Sequence, residues 1–289
     1  MAAVASSPAA YGGASFLGLL VRRKTVLFGA IILIVVVAAA LLSPWIAPYA
    51  PAKLSLANRL KPPSAQHLFG TDDFGRDVFS RVIVAGRTSL TVGFSVVIVS
   101  TVLGVILGLL AGFFRRLDGP IARVIDAMMA FPDILLAISL VAALGPSASN
   151  VILALGIVYA PRLARIIRAS TLVIRELPYV EAARALGVST PRIMANHVLR
   201  NLASPILVQG TFIFANAMLA EAGLSFLGVG VAPSTPTWGT MISQGRQFMD
   251  SAGWIMMFPG LAVVLSVLSL QLVGDGLRDM LDPRLSKDL

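Results

Sequence analysis

An all-α membrane protein with six transmembrane helices and both termini on the cytoplasmic side is the architecture this sequence predicts. Three observations carry the prediction. Mean hydropathy is +0.86. Charged residues make up 13% of the chain, where a soluble domain carries about a quarter. The apolar residues come in long uncharged runs rather than in amphipathic periods, the signature of helices solvated by lipid.

Taken in order, the runs are Thr25–Ala52, Thr88–Phe114, Ile134–Pro161, Asn201–Ala220 and Ser251–Gly274. A helix needs about 20 residues to cross the hydrocarbon. The third run is punctuated by Gly145-Pro146-Ser147 and Asn150, a turn-forming cluster. It therefore joins two helices, the first starting upstream near Ile121. Six spans result, at 26–46, 88–112, 124–144, 150–168, 205–227 and 253–274. A single helix over 134–161 is the alternative, giving five spans and an external C-terminus.

Charge chooses between them, because Lys and Arg gather on the cytoplasmic side of membrane proteins. With six spans and the N-terminus inside, sixteen of the 23 Lys and Arg residues lie inside. These include Arg22, Arg23 and Lys24 before the first span, Arg115, Arg116 and Arg123 between spans two and three, and Arg278, Arg284 and Lys287 at the end. Seven arginines from Arg162 to Arg200 are assigned to the segment between spans four and five. The predicted organisation is a cytoplasmic tail 1–25, a first span 26–46, an external loop 47–87, a five-helix body 88–276 containing a cytoplasmic segment 179–201, and a cytoplasmic tail 277–289. The first run is too long for the core of a cleaved signal peptide and is expected to remain as a span.

Composition excludes several functions. Cysteine is absent, which removes disulfides, thiolate metal sites and cysteine nucleophiles. The net charge of +9 reflects topology rather than a nucleic-acid partner. None of the four lysines follows a glycine, so the nucleotide-cradling pattern GxxxxGK[ST] does not occur. His67 and His197 stand apart on opposite sides, and no HExxH occurs.

The polar stretch YVEAARALGVSTPRIMANHVLRN, Tyr179–Asn201, interrupts the apolar runs. Pro178 suits a first helical turn and Glu181 sits near that helix's N-terminus, where a carboxylate is favoured. Ala182, Ala183 and Ala185 favour helix with little bulk. Gly187 is a natural stop, and Thr190-Pro191 restarts a helix. The expected form is helix, glycine turn, helix, with a small-residue face and exposed arginines. A solvated connector would not require such caps; a docking element read as a helix in a groove would.

Three further features complete the reading. Gly104, Gly108 and Gly112 recur every fourth residue, which puts them on one face and permits close helix approach. Glu221 lies inside span five, where an ionised carboxylate costs about 2.5–3.5 kcal/mol at the membrane centre; a structural partner is expected for it, against a water-filled pathway, an arginine or hydration near the outer end. In HLFGTDDFGRDVFSR, Asp72, Asp73 and Asp77 stand among Gly70, Gly75, Arg76 and Arg81. That pattern predicts a turn followed by a short helix tied by ion pairs rather than a metal site.

Glu181-Ala182-Ala183, three residues and then Gly187 resemble the EAA signature of membrane subunits of ATP-binding-cassette (ABC) importers. GTDDFGRDVFSRVIVAGRTSL (Gly70–Leu90), LSFLGVGVAPSTPTWGTMIS (Leu224–Ser243) and GDGLRDMLDPRL (Gly274–Leu285) resemble the C-type permease subunit of the dipeptide/oligopeptide/nickel group. The resemblance covers nearly everything after residue 20. It implies the type I ABC importer transmembrane fold in a bacterial inner membrane and no catalytic residue in this chain. Tyr179, Glu181, Ala182, Ala183, Arg184 and Gly187 would then couple to the ATPase, and Gly70, Thr71, Asp72, Gly75, Arg76 and Asp77 would form the external motif. Implied partners are a homologous B-type permease, two cytoplasmic ATPase subunits that bind ATP and Mg, an external substrate-binding protein and lipid. Peptides rank first as cargo, with nickel or glutathione as alternatives and an ion-coupled transporter or channel as the rival class. The group usually has proline where this chain has Arg200, so the second cytoplasmic helix is expected to continue further or pack differently.

Overall fold

The computed structural model describes residues 23–281. Among these residues the chain is all-helical, relieved by an isolated bridge between Thr71 and Asp77. The helices that matter for function are α1 (Lys24–Leu41), α2 (Val78–Phe113), α3 (Arg115–Met129), α4 (Asp133–Leu144), α5 (Ala148–Ile174), α6 (Pro178–Ala185), α7 (Ala203–Phe226), α8 (Trp238–Gly245) and α9 (Trp254–Leu281). The predicted tails lie outside the described residues over 1–22 and 282–289.

Five helices are long and apolar enough to cross a membrane, and α3 with α4 forms a bent pair that makes a sixth. The pair turns by 93° at Ala130-Phe131-Pro132, so the straight third span over 124–144 is corrected to a bent one. The cause is local: Pro132 cannot continue α3, and the residue before a proline avoids the helical region. Gly145, with φ +92°, separates α4 from α5, and Ser147 Oγ accepts from the Asn150 amide at 3.1 Å to cap α5. One helix over 134–161 is thereby ruled out.

The second span also differs. It starts at Val78, ten residues before the predicted edge, because Asp77 caps it: its carboxylate accepts from the Ser80 amide at 2.8 Å. At 36 residues and ~1.5 Å per residue, α2 is about 54 Å long and overshoots a hydrocarbon layer of ~30 Å.

Packing follows the small residues. A methyl group at Gly104 would stand 2.9 Å from Leu163 Cβ, one at Gly108 2.6 Å from Ile167 Cβ, and one at Gly112 2.6 Å from Thr171 Cβ. The partner of the glycine face is therefore α5, which runs parallel to α2, since the contacts advance together from Gly104–Leu163 to Gly112–Thr171. One core, built on Val96, Leu155, Leu163, Ile213 and Leu224, joins α2, α4, α5 and α7. A second, built on Val78, Met218, Trp238, Ile255 and Val267, joins α2, α7, α8 and α9. Phe28, Ile31, Ile34 and Val35 of α1 remain more than half exposed, as a lipid-facing helix should.

Side-chain contacts fix which loops share an end. Trp254 Nε1 donates to Thr71 O at 3.1 Å, and an Arg81 nitrogen donates to Gln244 Oε1 at 3.1 Å, so the loops 47–77 and 227–253 meet. At the opposite end Arg23 pairs with Asp279, and Arg175 donates to Gly112 O at 2.7 Å.

Candidate functional site: an exposed helix, a hydrogen-bonded cap and paired charges

At the end that gathers Arg23, Gly112 and Asp279, α6 projects after Leu177. Val180 and Ala183, three residues apart on one face, are buried against Ile193 with Phe113, Ile174 and Val188. That anchors the helix and turns the rest outward. Tyr179, Glu181, Ala182 and Arg184 are exposed, the Arg184 guanidinium lying 5.1 Å from the Phe113 ring centre. Ala183 faces inward, so it supports the exposed surface instead of belonging to it. Leu186, which the sequence reading passed over, is 85% exposed at the apex; an apolar residue at a helix C-cap just before a glycine was its only signal. Gly187 has φ +77°, a conformation L side chains rarely adopt, and open space surrounds it.

Beyond the turn the chain winds through Thr190–Ile193, a π turn at Met194–Val198 and a 3₁₀ turn at Leu199–Leu202 straight into α7. Arg200 lies in this winding, after the α-helical part of the second segment has ended at Ile193. Asn201 Nδ2 donates to Tyr179 OH at 3.3 Å, tying the second segment to α6.

The motif from Gly70 to Asp77 is a closed hydrogen-bonded unit. Asp72 Oδ1 accepts from the Phe74 and Arg76 amides at 2.9 Å each, and Oδ2 accepts from Arg76 Nε at 2.6 Å and from Arg81. Asp72 and Arg81 are both buried. Asp77 takes Ser80 Oγ at 2.7 Å on one oxygen and meets His67 Nδ1 at 2.9 Å on the other. His67 is thus part of the unit, not isolated; the ten-residue separation hid it. Thr71 bonds back to Asn58 and supports the Lys61 amide at 2.8 Å. Gly70 and Gly75 adopt φ +73° and +69°, and a side chain on Gly70 would run into Lys61 O and Trp254, both at 2.7 Å. Asp73 sits at the rim 3.7 Å from Arg76; burial and the neighbouring Asp72 carboxylate push its pKa up. The expected ion-paired turn is present, and the helix after it is the whole of α2.

Glu221 is 2% exposed, and its Oε1 accepts from Ser225 Oγ and Thr237 Oγ1, each at 2.9 Å. Those hydroxyls are the structural partners, supplied by α7 itself and by the N-cap of α8.

Three arginines assigned to the cytoplasmic segment lie within α5. Arg162, Arg165 and Arg168 pair with Asp133, Asp126 and Asp118 of the bent pair at 3.4 Å, at 2.6 Å and, for Arg168 with Asp118, through two contacts. Because Leu163 packs on Gly104, Arg162 is level with the charge-free part of α2, nine residues short of Phe113, or roughly 14 Å along the helix. No potential metal site of three or more His, Cys, Asp or Glu residues occurs among the described residues.

Comparison with known proteins now bears on this geometry. Residues 100–287 match the family model described as binding-protein-dependent transport system inner membrane component. The chain belongs to that family. Residues 14–63 match the N-terminal transmembrane domain of oligopeptide transport permease C, so this member is a C-type permease of peptide ABC importers and a multi-pass protein of the bacterial inner membrane. A Brucella suis protein provisionally named a peptide transport system permease is 52% identical over 266 residues, 92% of this chain and 90% of that one. The dipeptide transport system permease protein of Escherichia coli is 46% identical over 273 residues (92% and 91%), and that of Alkalihalophilus pseudofirmus 44% over 267 (92% and 88%). A solved structure titled as inward-facing conformations of the MetNI methionine ABC transporter matches with TM-score 0.53 and 19% identity, covering 65% of this chain and 90% of that one; it speaks for the fold.

Proposed function

We propose that this family member is the C-type half of an ATP-driven importer of di- or oligopeptides, that its α6 end lies in the cytoplasm, and that α6 docks into an ATPase subunit. The exposed face of α6 carries this reading: Tyr179, Glu181, Ala182, Arg184 and Leu186 are exposed while Val180 and Ala183 hold the helix to the body. An apolar knob flanked by charges on a short anchored helix is what a protein groove recognises. The excess of Lys and Arg at this end supports a cytoplasmic orientation.

Two ATPase subunits would carry ATP and Mg, a homologous B-type permease would complete the pathway, and a substrate-binding protein would dock on the external cap and the 228–252 loop. ATP-driven closure of the ATPases would move α6. Rigid attachment through Val180 and Ala183 to Ile193, Phe113 and Ile174 passes that displacement to α2, α5 and α7. The docked helix must keep its ATPase contact in both conformations while its orientation changes. Names of the relatives favour peptides over nickel or glutathione.

The test is purification of the tagged chain from its own membrane in mild detergent, with mass spectrometry of what accompanies it and peptide uptake in vesicles. A second permease and P-loop ATPases, with uptake that requires ATP, are expected. Uptake by the chain alone on an ion gradient would overturn the reading.

A further inference from the structure

We infer that Arg162 and Asp133 form a charge-complementary station for the two termini of a zwitterionic peptide on the transport pathway; this rests on the peptide-importer reading above. Their ion pair is long, at 3.4 Å, and its side chains are 48% and 44% exposed. Charges at membrane depth do not face lipid; they line a water-filled path or meet a partner. Here both signs are presented together. An exposed pair contributes little to stability, so a competing ammonium and carboxylate can replace it with little loss.

The surroundings separate this pair from the Arg168–Asp118 pair. Arg168 holds Asp118 through Nε and a second nitrogen at 2.9 Å, and is more enclosed; it is suited to fastening α3 to α5. Arg162 sits one helical turn from Ile166, which borders a cavity of about 500 Å³ shared with Ser204, Gln209 and Phe212 of α7 and Arg278 of α9. Gln209 on that lining can donate to and accept from a peptide bond. A free dipeptide is neutral overall yet carries one charge of each sign. Arg162 matches the carboxylate, Asp133 the α-ammonium, and the site stays net neutral when either partner is exchanged.

The experiment uses the complete complex in vesicles and three forms of one dipeptide: free, C-terminally amidated and N-acetylated. The binding protein's affinity for each is measured separately. With Arg162→Gln, uptake of the free dipeptide is expected to fall about tenfold while that of the amidated form is unchanged. With Asp133→Asn the free form again falls and the N-acetylated form is unchanged. Equal losses for all three forms, or no loss for any, would overturn the station, the first outcome leaving a purely structural pair. Arg162→Lys, which keeps the charge, should retain uptake of the free form and guards against a folding defect. Failure of the unmodified complex to carry any of the three peptides would instead remove the peptide-importer reading on which the station depends.

Discussion

The hydrogen-bonded cap before α2 and the α6 helix are both charged motifs beside Gly residues at positive φ, yet they use their charges in opposite ways. In the cap, Asp72, Arg76, Arg81, Asp77 and His67 are consumed by one another, and Asp72 and Arg81 are almost wholly enclosed. In α6, Glu181 and Arg184 are exposed and only Val180 and Ala183 are held inside. A side chain on Gly70 would clash with backbone and tryptophan; one on Gly187 would meet open space. The same residue types therefore make a rigid platform at one end of the molecule and a displayed contact surface at the other. Burial, not composition, is the difference.

The sharpest way to break this contrast is Asp72→Asn. It leaves the buried Arg81 without its counter-charge, and losing one member of a buried pair costs about 3–5 kcal/mol. Thermal unfolding of the detergent-solubilised chain should show the largest drop of any variant in either motif; a change within error would mean that the cap is not a closed unit.

Gly187→Val should act next. A non-glycine residue in the left-handed region costs about 1–2 kcal/mol, paid here in a segment that carries no core. The expected result is a small fall in thermal stability with ATP hydrolysis retained and peptide uptake lost, read as ATP consumed per peptide. Tight coupling in the variant would refute the role given to the turn.

Glu181→Lys and Leu186→Ala should leave the fold alone, since exposed substitutions usually stay within about 0.5 kcal/mol, while co-purification of the ATPase subunits weakens. Undiminished co-purification with both changes would remove α6 from the interface.

The smallest effect belongs to Asp73→Asn. Because burial raises the Asp73 pKa, the native carboxyl favours the fold only while protonated, and that contribution is lost as pH rises through the raised value. The asparagine variant should be slightly the more stable at neutral pH, with the difference closing on acidification below the ordinary carboxylate range. A difference that grows on acidification would contradict the shift.

Much of the molecule was legible in the sequence. The spans follow from hydropathy, the α6 turn from Pro178 and Gly187, and the ion-paired external turn from its glycines and opposite charges. What was not legible involves pairings across long separations. Arg81 could sit inside a helix because Asp72 and Gln244 meet it, and Gln244 is 163 residues away. The pairing of Arg162, Arg165 and Arg168 with aspartates was hidden because those aspartates lie 29, 39 and 50 residues earlier on another element. Ala183 was read as surface because its helical partner Val180 acquires a core only when Ile193 folds back over it.

The sequence by itself determined that this chain is helical, spans the membrane several times and presents a capped polar element between two spans. Those properties are local: they depend on transfer of a contiguous segment into hydrocarbon and on caps a few residues apart. Only the tertiary structure decided that the third span bends by 93°, that Glu221 is satisfied by Ser225 and Thr237, and that Arg162 and Asp133 face each other across two helices. A charge inside a membrane is tolerated according to what lies across from it, and that neighbour is set by helix packing rather than by the adjacent residues.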